Sequence, residues 1–134
     1  MFKKIMAAID GSDTSKKAFM EANHLAVSHQ ATLRIVYAAS DSEDTDQKAS
    51  RILLAQAKSA VSSGVAVETR LLSADAVYGL TGIVDAIANA ANEWDADLVV
   101  VGTSHRRGLE RWVIGSVAEQ LIAKVDASIL LVRP

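Results

Sequence analysis

Apolar residues fall along this chain in two alternating rhythms: short, nearly unbroken runs, and longer stretches in which they return every three or four positions. The runs at 5–9, 33–37, 98–101 and 129–132 have the length and aliphatic content of buried strands. Residues 65–72 instead alternate, with Val65, Val67, Thr69 and Leu71 set against Ala66, Glu68, Arg70 and Leu72. That is the pattern of a strand buried less deeply. Helical spacing appears in Ala18, Phe19, Ala22, Leu25 and Ala26, and again in Ile52, Leu53, Ala57, Ala60 and Val61. A third helix is marked by Val84, Ile87, Ala88 and Ala91, reaching towards Trp94. A fourth, over about 116–125, follows from Ile114, Val117, Ala118, Leu121, Ile122 and Val125.

Strand and helix therefore alternate from end to end, which predicts the α/β class. The expected architecture is an open five-stranded parallel sheet with helices on both faces and right-handed crossovers, a Rossmann-like arrangement. The alternating third strand suits an edge and the apolar strands suit deeper burial, giving the order 3-2-1-4-5 with two helices on each face. No linker, repeat or low-complexity tract interrupts the pattern, so residues 1–134 read as a single domain. Residues 40–47 lack periodicity and read as an acidic, solvated connection; the central glycine and closing glutamate of a calcium loop are missing. Gly79-Leu80-Thr81-Gly82 reads either as a longer loop or as a plain helix start.

Composition narrows the function classes. Half of the residues are hydrophobic, yet no apolar run approaches the length of a membrane span and the N-terminus carries no signal-peptide pattern. A soluble cytoplasmic protein is expected. The absence of cysteine excludes disulfides, thiolate metal sites and a cysteine nucleophile. A net charge of −2 gives no basic footprint for nucleic acid. His24 and His29 lie five apart and off a shared helix face, which argues against a metal pair.

Candidate chemistry concentrates in residues 102–116, GTSHRRGLERWVIGS, between the fourth strand and the last helix. A helix N-terminus offers unpaired N–H groups and the positive end of its dipole, which suits an anion and phosphate above all. On shape alone the stretch fits equally a strand-to-helix turn in which glycines permit tight geometry. Asp10 and Gly102 end the first and fourth strands, which are neighbours in the expected order, and ligands of doubly wound sheets sit where the order reverses. That convergence favours a ligand site. Neither a Walker-type phosphate loop nor a dinucleotide fingerprint occurs, and the acids do not cluster as in a response regulator.

The residues resemble the universal stress protein family over essentially the whole chain. Lys4-Ile5-Met6-Ala7-Ala8-Ile9-Asp10-Gly11-Ser12 is similar to that family's first strand and Asp-Gly-Ser turn. Ala96-Asp97-Leu98-Val99-Val100-Val101-Gly102 resembles its fourth strand, Gly115-Ser116-Val117-Ala118-Glu119 the start of its last helix, and Ile129-Leu130-Leu131-Val132-Arg133 its closing strand. Nucleotide-binding members carry G-x2-G-x9-G-[ST]; here Gly102, Gly115 and Ser116 match and His105 replaces the second glycine.

The resemblance implies ATP or another adenine nucleotide as ligand. It places Asp10 at the adenine and ribose end, Ala38 at the adenine pocket, and Gly102, Thr103 and the following loop around ribose and phosphates. Gly115, Ser116 and the N–H of Val117 would hold the phosphates. Histidine at 105 adds a side chain where glycine permits positive φ, though it can donate to phosphate, as can Arg107 beside it. Weakened or absent binding, relative to members with glycine, is therefore expected. No base–nucleophile pair is legible around Asp10 and Ser116, so no enzymatic role is expected. The function classes that follow are a regulatory protein whose nucleotide occupancy alters a dimer, or a nucleotide-free interaction protein of the same fold. Because the fifth strand is apolar on both faces and no later segment covers it, a homodimer through that strand is expected.

Overall fold

A computed structural model describes residues 1–40, 44–103 and 116–134. The chain runs β1 (Lys4–Ala8), α1 (Asp13–His29), β2 (Thr32–Ser40), α2 (Asp44–Ala60), β3 (Val67–Ala74), α3 (Gly79–Trp94), β4 (Leu98–Gly102), α4 (Ser116–Lys124) and β5 (Ser128–Val132). All strand pairs are parallel, in the order β3-β2-β1-β4-β5. The strand order expected from the hydrophobic pattern is thus observed.

The pleat divides the core in two. Ile5, Ala7, Leu33, Ile35, Leu98 and Val100 face α1 and α2, which contribute Ala18, Ala22, Ala26 and Leu54. Met6, Val36, Val99 and Val101 face α3 and α4, which contribute Val84, Ile87, Ala88, Ala91, Leu121 and Val125. Strands buried on both faces must be apolar at every position, and β4 is buried along Leu98–Val101 for that reason.

Two sequence readings shift, and one left open is decided. The acidic connection is shorter than expected, because α2 already begins at Asp44. β3 runs over Val67–Ala74 rather than 65–72, since Val65 is used in a turn in which its N–H donates to Ser62 O. The Gly79–Gly82 stretch is helix, preceded by a single 3₁₀ turn at Ala76–Tyr78. There Asp75 Oδ1 accepts the N–H of Val77 at 3.0 Å, and Gly79 sits at φ +55°.

The edge strand β3 is pinned to β2 by Arg34, whose guanidinium donates to Glu68 at 2.6 and 2.8 Å and lies 4.3 Å from the ring centre of Trp94. On the other side, Asn92 caps the end of α4. Its Nδ2 donates to Lys124 O at 3.1 Å and its Oδ1 accepts from Asp126 N–H at 3.0 Å.

Candidate functional site

The order reverses between β1 and β4, and the register fixes what stands there. Ala8 is the last residue of β1 to pair with β2, opposite Val36, and Ala7 the last to pair with β4, opposite Val100. Ile9 N–H still donates to Val36 O and Thr103 N–H to Val132 O, both 2.9 Å, which extends the β1–β2 and β4–β5 ladders by one residue. Ala38 near the end of β2, Asp10 just after β1 and Thr103 just after β4 therefore lie at the same, carboxyl-terminal end of three adjacent strands. Ala38, like Val36, Ala8 and Val101, belongs to the face covered by α3 and α4. A crossover helix starts at the end of the sheet where its preceding strand finishes, so the start of α4 at Ser116 belongs to this same end.

Asp10 is exposed and held by a turn. Its Oδ1 accepts the N–H of Ser12 at 2.9 Å, across Gly11, which adopts φ +86°. An L-residue at 11 would be strained there, which is the physical reason for Asp-Gly-Ser. Ser12 caps α1 by accepting from Ser15 N–H at 3.2 Å. The buried Ser15 hydroxyl in turn donates to Ser12 O at 3.0 Å and accepts from Asp10 N–H at 3.3 Å. The carboxylate is thus set on a rigid turn, with one oxygen oriented by the backbone.

Gly102 ends β4 opposite Val132. A Cβ built on it would stand 2.6 Å from Thr14 Cγ2 and 3.0 Å from the carbonyl carbon and oxygen of Thr14. Close approach of α1, not an unusual backbone angle, therefore requires this glycine. Thr103 is buried, and both its N–H and its hydroxyl donate to Val132 O, at 2.9 and 3.4 Å. Ala38 is half-buried against the α3 and α4 face. His105, Arg107 and Gly115 lie outside the described residues. Ser116 and Val117 are the first two residues of α4.

Thr14 and Ser15 carried no signal in the sequence; their roles depend on packing against β4 and on the turn at Asp10. His29, set aside as a metal ligand, accepts the N–H of Phe2 through Nδ1 at 3.1 Å. Among the described residues no group of three His, Cys, Asp or Glu is placed to hold a metal ion. A cleft of about 220 Å³ opens at the opposite end of the sheet, between Ala26, Gln30, Thr32, Gly64 and Ala66. It has no charged side chain in its lining, so size alone does not make it the better candidate for an anionic ligand.

An open, doubly wound sheet with a carboxylate turn and a helix start at the reversal point defines a Rossmann-like protein of the α/β class. The model of the universal stress protein family matches residues 1–133, and the chain belongs to that family. It is 28% identical to universal stress protein YxiE of Bacillus subtilis, over 99% of this chain and 100% of that one. A universal stress protein structure from Archaeoglobus fulgidus shares the fold with a TM-score of 0.82 at 23% identity, covering 98% of this chain and 99% of that chain. A universal stress protein solved in complex with cAMP superimposes with a TM-score of 0.73 at 26% identity, covering 98% and 97%.

Proposed function

We propose that this protein binds an adenine nucleotide, ATP in the first instance, at the carboxyl-terminal edge of its sheet, and uses occupancy to alter a homodimer. The observation that carries the reading is the placement of Ala38, Asp10 and Thr103 at the carboxyl-terminal end of three adjacent strands, beside the reversal in strand order. The related structure holding cAMP supports the ligand class. In this reading Asp10 accepts from ribose hydroxyls and the small Ala38 leaves room for the adenine. Gly102, Thr103, His105 and Arg107 follow ribose and phosphates, and the N–H groups of Gly115, Ser116 and Val117 receive the phosphates at the start of α4. The role is regulatory rather than catalytic. No helix among the described residues is long and apolar enough to cross a membrane, and a cytoplasmic setting is part of the proposal.

A second reading, a nucleotide-free interaction protein, draws on one observation. Val77 and Tyr78 in the 3₁₀ turn and Leu80 in the first turn of α3 are 85%, 64% and 51% exposed. One experiment separates the two. Protein purified from cells and denatured should release an adenine nucleotide identified by mass, and Gly115→Val should abolish the release while circular dichroism stays unchanged. Release of no nucleotide, with no ATP binding by calorimetry, would leave the interaction protein as the better account.

A further inference from the structure

We propose that Thr14 is a positioning residue of the nucleotide site, holding the Asp10 turn and the end of β4 in one fixed relation. This rests on the reading above for its ligand, but not for its geometry. The starting point is why residue 102 is glycine. Its φ lies outside the left-handed region, so backbone conformation does not demand it. Space does: an added Cβ would meet Thr14 Cγ2 at 2.6 Å and the Thr14 carbonyl at 3.0 Å. Neither side can yield freely. Gly102 sits in the β4–β5 ladder, and the next residue is tied to Val132 O by both backbone and hydroxyl.

Thr14 is tied just as firmly from the other direction. It lies between Ser12 and Ser15, which are joined by Ser15 N–H to Ser12 Oγ and by Ser15 Oγ to Ser12 O. Ser15 Oγ also receives the N–H of Asp10, and Asp10 Oδ1 receives the N–H of Ser12. A displacement at Thr14 is therefore passed through two serines to the carboxylate proposed to meet the nucleotide. Thr14 need touch no ligand to set the site. It is the contact of α1 with Gly102, the last residue of the strand from which the 104–115 segment departs.

The test is a pair of variants read two ways. Gly102→Ala should weaken ATP binding by about tenfold or more in calorimetry, the scale on which small misplacements act. It should also speed amide exchange at Ser12, Ser15 and Lys16. Adding Thr14→Ser, which removes the methyl nearest the new Cβ, should recover most of both losses. Thr14→Ala alone introduces no clash, so it serves if Gly102→Ala fails to fold. It should accelerate exchange at Ser12 and Ser15 while the amides of Val99, Val100 and Val101 keep their protection. Double-variant binding and exchange no better than Gly102→Ala, or Ser12 and Ser15 exchange unchanged in Thr14→Ala, would overturn the proposal. Wild-type protein that binds no ATP would defeat the nucleotide reading instead, and the exchange measurements would still decide the role of Thr14.

Discussion

Asp97 accepts the N–H groups of Lys3 and Lys4 on a single oxygen, at 2.8 and 2.9 Å, and so anchors the start of β1 to the turn before β4. Those backbone bonds, Lys3 first, with the lysine charges behind them, hold its carboxyl below the usual carboxylate range. A group with a depressed folded value contributes stability above its unfolded pKa of about 3.9 and loses it as pH falls through the folded value. Asp97→Asn should therefore lower the melting temperature at pH 7, with the difference shrinking as pH falls below about 3.9 and through the lower folded value. An offset that stays constant across that range would show that the carboxylate charge is irrelevant. At this scale the sequence was informative about Asp10 and Gly11, because an Asp-Gly-Ser turn encodes its own geometry locally. It said nothing of Thr14 or Asp97, whose partners lie 88 and 93 or more positions away.

The helices show where periodicity suffices and where it does not. In α1 and α3 the expected inward residues Ala18, Ala22, Ala26, Val84, Ile87, Ala88 and Ala91 are buried, while Phe19, Leu25 and Trp94 at the margins of the stripe are half-buried. In α2 three apolar residues stand in a row. Leu54 is buried, Leu53 lies under Gly11, and Ile52 is 53% exposed. A run of that kind fits several helical phases, and only packing against β2 and β3 chose one. At the start of α3, Gly82 is fixed by its neighbour, since a Cβ there would stand 2.5 Å from Asp75 O. Alanine gains up to about 1 kcal/mol over glycine in a helix interior. Overpacking against a backbone oxygen costs about 1–3 kcal/mol, so Gly82→Ala should be destabilising on balance. Urea unfolding is the check; a variant more stable than wild type would mean that the 3₁₀ turn shifts freely to make room.

Across the whole molecule the open question is the β5 edge. Thr103 N–H donates to Val132 O, so by the alternation of a parallel ladder Val132 and Leu130 bond to β4 while Leu131 and Ile129 direct their N–H groups outward. Ile129, Leu130, Leu131 and Val132 are all only half-buried, flanking an edge that a twofold partner would cover. If the proposed homodimer forms there, Leu131→Pro should convert it to monomer at tens of micromolar while preserving the fold, since the donor removed faces away from β4. A wild type that sediments as a monomer at that concentration would exclude the dimer. The sequence by itself determined the class and the strand order, because burial on two faces, on one, or on none leaves distinct periodicities that no distant contact is needed to read. Only the tertiary structure decided that Ala38 packs on the α3 and α4 face, that Gly102 is glycine for the sake of Thr14, and which leucine of α2 turns inward. Those facts are set by register and by the approach of one element to another, and neither leaves a trace in the local order of residues.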